Sequence, residues 1–224
     1  MTKSSGGGGR QLSTRLRTAK GRSSQSERWL ERQLNDPYVT AARAAGYRSR
    51  AAFKMVELDE KFGLLKPGGR VVDLGAAPGG WTQVAVRQVG DRGRVVGLDL
   101  LPVDPVPGAT ILQGDFQDPE AERAVEGALG GQADLVLSDM APNTTGHNAT
   151  DHLRIMGLAE LALDFALRVL APGGAFVAKV FQGGSEKDFL ATLKQRFATV
   201  RHAKPPSSRK DSAELYVVAT GFKG

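Results

Sequence analysis

VVDLGAAPGGW, Val71 to Trp81, decides the fold. Val71–Leu74 reads as a buried strand, and the glycine-rich turn after it opens an amphipathic segment over 80–89, the way a nucleotide-binding βα unit begins. Glycines in such a turn let backbone approach a ligand closely. A dinucleotide turn requires G-x-G-x-x-G, but here the glycines fall at Gly75, Gly79 and Gly80 with Pro78 between them. A P-loop requires a Lys-Ser/Thr pair after its last glycine, and none follows.

Working outward, strand and helix patterns alternate. Strands are expected at 94–98, 110–112, 135–138, 175–181, 199–203 and 215–220. Helices are expected at 49–62, 120–129, 151–170 and 186–196, with apolar positions 153, 156, 161, 165 and 169 on the long one. KPGG at 66–69 and APGG at 171–174 are turns. Before these, a short helix from Ser26 to about Leu34 is expected to end near Asp36-Pro37. Such alternation predicts an α/β protein, a doubly wound, mostly parallel sheet of about seven strands. KPPSSRKDSAE between the last two strands is too short for a crossover helix, so they pair antiparallel and the last strand runs opposite to the sheet.

Successive strand ends carry carboxylates. Asp99 ends the second strand, where it can accept hydrogen bonds from ribose hydroxyls, and Asp115 in QGDF follows the third, placed for an adenine amino group. An acidic pocket without a lysine in its turn suits a nucleoside bearing positive charge, and S-adenosylmethionine (SAM) is one. Trp81 is a pocket wall or a packing residue.

The chain of 224 residues has no cysteine, which excludes a disulfide framework, a thiolate zinc site and a cysteine nucleophile. No metal site is expected, and no apolar run is long enough to span a bilayer. The net charge is +6, and residues 1–25 hold six basic residues and no acid, which accounts for the whole excess. This Gly/Ser/Arg-rich tail reads as disordered, either an RNA-binding arm or a solvated extension, ahead of one domain over 26–224.

Four charged residues sit oddly for structure alone. Lys179 lies inside AFVAKVF, an otherwise apolar strand, where an unpaired lysine is costly. Asp139 ends the fourth strand in SDMAPN, Glu214 begins the last, and Lys54 lies on the early helix. Together with the glycine motif, the stretches RSRAAFK, SDMAPN, KVFQG and SSRKDSAELYVVATG resemble the FtsJ-type (RrmJ/RlmE) ribosomal RNA 2′-O-methyltransferases over about residues 24–222.

The resemblance implies a Rossmann-like SAM-dependent methyltransferase fold and a catalytic tetrad at Lys54, Asp139, Lys179 and Glu214. It implies cofactor contacts at Gly79, Trp81, Asp99, Asp115 and Asp139. It further implies methylation of the ribose 2′-hydroxyl of a uridine in the A-loop of 23S-type rRNA, on the assembled large subunit, by a cytoplasmic protein with no membrane association, expected to be monomeric. Lys179 is the candidate general base. For that its pKa must fall, through desolvation and a neighbouring cation such as Lys54. Asp139 would orient it and Glu214 would hold lysine or hydroxyl in place.

RNA is expected on the face carrying Arg43, Arg48, Arg50 and Lys54, with Arg201, Lys204, Arg209 and Lys210 opposite, and Tyr47 is a stacking candidate. The tetrad does not choose between rRNA, tRNA and an mRNA cap. An assembly factor acting mainly by binding is the reading from a different class.

Overall fold

The computed structural model describes residues 36–142, 146–181, 187–209 and 212–224. The expected tail, the helix over 26–34 and Lys210 lie outside them. Seven strands form one sheet: β1 (Arg70–Leu74), β2 (Arg94–Asp99), β3 (Ala109–Gln113), β4 (Ala133–Ser138), β5 (Leu170–Phe181), β6 (Phe197–Ala203) and β7 (Glu214–Phe222). Their order is β3-β2-β1-β4-β5-β7-β6, and only β7 runs against the rest. The helices are α1 (Pro37–Ala44), α2 (Ala51–Phe62), α3 (Gly80–Val89), α4 (Pro119–Leu129), α5 (Asn148–Val169) and α6 (Lys187–Arg196).

Alternation along the strands sends side chains to two cores. Val72, Leu74, Val136, Phe176, Ala178 and Val217 pack with α4, α5 and α6. Val71, Leu135, Leu137, Val177, Tyr216 and Val218 pack with α2 and α3. By the same parity, Asp73, Asp139, Lys179 and Glu214 belong to the face that α2 and α3 cover.

Two local features were not read from the sequence. Asp36-Pro37 starts a helix: the Asp36 carboxylate caps Tyr38 N–H at 3.0 Å and proline takes the first turn, where no N–H is needed. On α5, Leu153 and Leu161 face solvent at 64% and 39% exposure, and the buried stripe includes Ile155, Met156, Ala159, Ala162, Leu163 and Ala166. Of the five expected apolar positions, Met156, Phe165 and Val169 are buried, while Leu153 and Leu161 fall outside the stripe, which small residues such as Ala159, Ala162 and Ala166 help to fill.

Candidate active site

Two lysine–carboxylate pairs lie at the carboxyl end of the central strands. Lys179 Nζ is 2.9 Å from Asp139 Oδ1 and also donates to the Asp139 carbonyl at 2.9 Å. Lys54 Nζ, descending from α2, is 3.2 Å from Glu214 Oε2. Tyr216, which pairs with Lys179 in the β5–β7 ladder, joins them. Its hydroxyl donates to Asp139 Oδ1 at 2.7 Å and accepts from Lys54 Nζ at 3.1 Å. The four residues named from the sequence thus form one cluster, and Tyr216 is the member that reading missed. Its signal was present: it sits two residues after Glu214, on the same face of the strand.

The cluster's electrostatics run against the expectation for a neutral lysine. Burial pushes the Lys179 ammonium toward losing its proton, but Asp139 and then Glu214 outweigh it and raise its pKa above the ordinary value. Lys54 does not act as a lone neighbouring cation, because Glu214 pairs with it. Burial would raise the Asp139 carboxyl, yet Lys179, Lys54 and the hydrogen bonds hold it below the usual range. Tyr216 is pushed well above its usual value, by burial first and Asp139 second, so it keeps its proton.

Across the sheet, the turn after β1 is held by backbone bonds from Gly75 and Ala76 N–H to Leu98 O, at 2.9 and 3.1 Å. A side chain at Gly75 would strike the Met140 backbone at 2.8 Å, so this glycine admits protein rather than ligand. Gly79 has φ +106° and immediately precedes α3. The N–H groups of Gly80 and Trp81 then lie in the first turn, where the helix supplies no acceptor. Trp81 itself is buried, its ring 5.5 Å from that of Tyr216 and its Nε1–H donating to Ala51 O at 2.8 Å. Any contact it offers a ligand is therefore through its backbone.

Asp99 accepts from Ala77 N–H and Leu101 N–H, both at 2.8 Å, and exposed Asp115 from Gln117 N–H at 3.0 Å. Asp73, named in the motif but given no role, is fully buried. Its Oδ2 accepts from Thr82 Oγ1 at 2.6 Å, and its Oδ1 has no partner. Burial, reinforced by Asp139 and Asp99 against the Thr82 bonds, pushes its pKa up to about 7.

The sequence model of the FtsJ-like methyltransferase family matches residues 47–222. The chain belongs to the FtsJ-like methyltransferase family. It is 69% identical over 208 residues to Ribosomal RNA large subunit methyltransferase E of Granulibacter bethesdensis, covering 93% of this chain and 90% of that one. With the protein of the same name from Acidiphilium cryptum it shares 65% over 223 residues, covering 100% and 98%. Among solved structures, a ribosomal RNA methyltransferase of Plasmodium falciparum superposes with a TM-score of 0.69 at 30% identity, covering 80% of this chain and all of that one. The protein is therefore a methyltransferase, and its methyl donor is SAM. The charge around the turn fits that donor: Asp139 and Asp99 add to the cost of ionising buried Asp73, and a cationic ligand beside these carboxylates would offset it.

The basic residues expected to meet RNA divide. Arg48 bonds the carbonyls of Pro78, Asp104 and Pro105, and Arg50 pairs with Asp36 at 2.6 Å and donates to Ser207 O. Both guanidinium groups are engaged by protein acceptors. Arg43 and Arg201 are exposed and Arg209 is half-buried. Tyr47 has the Arg87 guanidinium 4.3 Å from its ring centre and Phe53 at its edge, so a base has little open face to stack on.

Proposed function

We propose that this family member transfers a methyl group from SAM to the ribose 2′-oxygen of a uridine in large-subunit rRNA, in the A-loop of the assembled subunit. The observation that carries the reading is the Lys54–Glu214 and Lys179–Asp139 pair of pairs joined through Tyr216. It stands in a chain whose relatives bear the name of a large-subunit rRNA methyltransferase. We infer a monomer acting in the cytoplasm, where that substrate is found. Among the described residues no helix is long and apolar enough to cross a membrane.

The donor would be held by the first-turn N–H groups of Gly80 and Trp81 beside Gly79, by Asp99 and Asp115 at the ends of β2 and β3, and by Asp139. SAM supplies an electrophilic methyl on a cationic sulfur. Lys179 has three N–H donors and uses two on Asp139, leaving one to orient the attacking oxygen. In this arrangement Lys179 is an ammonium, so its contribution is alignment and stabilisation of the charge that grows on that oxygen, not proton abstraction. Asp139 fixes Lys179 from two directions, and Tyr216 transmits the position of Lys54 to Asp139. Phosphate attraction is assigned to Arg43, Arg201 and Arg209 around the cluster.

Isotopically labelled SAM, offered with unmodified large subunits, naked rRNA and tRNA, tests the reading. Nucleoside mass spectrometry is expected to find labelled 2′-O-methyluridine from subunits alone. Label confined to tRNA would overturn the substrate, and label on a base would overturn the chemistry.

A further inference from the structure

Arg48 ends the segment that lies across α3. Gln83 anchors that segment with both ends of its amide, accepting from Arg48 N–H at 2.9 Å and donating to Gly46 O at 3.0 Å. Arg87 adds a bond to Ala45 O at 3.2 Å. From this fixed base the Arg48 guanidinium reaches three carbonyls on two loops: Pro78 O at 3.3 Å, Asp104 O at 2.6 Å and Pro105 O at 2.7 Å. Pro78 belongs to the glycine turn after β1, and Asp104 and Pro105 to the loop after β2.

The turn is shaped to receive this segment. A Cβ at Gly79 would lie 2.8 Å from Arg48 Nη1, and one at Gly80 would lie 2.7 Å from Ser49 Oγ. The space left by both glycines is filled by protein. A planar group with donors along two edges is what can hold several carbonyls at once, and an ammonium has no such fork.

We propose that Arg48 is a positioning residue for the methyl donor: its guanidinium fixes the distance between the glycine turn and the β2 loop, the two walls between which the donor binds. This rests on the reading that the donor lies between that turn and Asp99.

The test compares Arg48→Lys, which keeps the charge, Arg48→Gln, and Gln83→Ala, which loosens the segment without touching the three carbonyls. Titration with S-adenosylhomocysteine is expected to show binding weaker by about 10-fold to 100-fold in both Arg48 variants, the range for a misplaced wall. Gln83→Ala should show a smaller loss in the same direction. KM for SAM rises while kcat at saturating SAM, KM for the large subunit and the salt dependence of that KM stay at wild-type values. A shallower salt dependence with unchanged donor affinity would make Arg48 a phosphate contact and overturn the proposal. So would full donor affinity in Arg48→Lys, since charge alone would then suffice. Should the Arg48 variants not fold, unchanged donor affinity in Gln83→Ala overturns it. Asp99→Ala separates the two levels: if it leaves donor affinity intact, the reading of the site fails, whereas loss there beside intact Arg48 variants sinks the Arg48 assignment alone.

Discussion

The proposed donor half of the site, at the ends of β1, β2 and β3, and the proposed catalytic half, at the ends of β4, β5 and β7, handle negative charge in opposite ways. In the donor half, Asp99 and Asp115 take backbone N–H groups and Asp73 takes the amide and hydroxyl of Thr82. In the catalytic half each carboxylate has its own lysine, and a tyrosine hydroxyl ties the pairs together. The outcome shows in two carboxyls of one sheet face: Asp73 is pushed up to about 7 while Asp139 is held below its usual range. The catalytic half is organised before any ligand arrives. In the donor half, buried Asp73 has no lysine beside it, and Asp139 and Asp99 favour its neutral form.

The comparison breaks most visibly at Lys179. Lys179→Ala removes the donor proposed to orient the substrate oxygen, and single-turnover methyl transfer should drop about 10²-fold to 10³-fold. S-adenosylhomocysteine affinity should fall far less than turnover, because Asp139 is the single donor-holding residue that Lys179 touches. Near-normal turnover in this variant would end the assignment of the cluster.

Tyr216→Phe is a sharper cut. The ring stays against Trp81, and only the hydroxyl linking Lys54 to Asp139 is lost. Turnover at saturating substrates should fall about tenfold, the scale for a misaligned catalytic group rather than a missing one. Stability should fall by about 1 kcal/mol, as for one buried hydrogen bond. If KM rose with kcat intact, Tyr216 would belong to binding instead.

The smallest effect concerns Asp73. Its folded pKa is raised, so between the ordinary value of 3.8 and about 7 the native state keeps a proton that the unfolded chain has released. Stability from this group therefore declines as pH rises through that window. Asp73→Asn, which stays neutral, should melt progressively higher relative to wild type as pH rises from 4 to 8 without donor, the gap opening across that window. A Tm difference that does not change with pH would mean that Asp73 is ionised throughout.

The donor half was the more legible in sequence because it is local. Gly79, Asp99 and Asp115 fall in one run of βαβ units, and turn chemistry marks each strand end, although Asp73 in the same run was given no role. The expected span of α3, 80–89, coincides with the observed Gly80–Val89. The Asp36-Pro37 signal is ambiguous for a physical reason: proline both discourages helix before it and favours helix starting at it. The same Asp-Pro pair opens α4, where the amphipathic run after it makes the direction plain.

The catalytic half draws on Lys54, Asp139, Lys179 and Glu214 from four separate segments. Their types and out-of-place settings, together with the family resemblance, pointed to them, because a charge in an apolar strand needs a partner wherever that partner lies in the chain. Sequence by itself thus determined the alternation of strands and helices, the ligand edge of the sheet and the residues that had to be compensated. Tertiary structure alone decided which lysine meets which carboxylate, that Tyr216 bridges the pairs, and that Arg48 and Arg50 face carbonyls and a carboxylate of the protein. Periodicity reports which face a side chain takes, whereas a proton's affinity and a guanidinium's partners depend on distances of a few ångströms between segments that only the folded chain brings together.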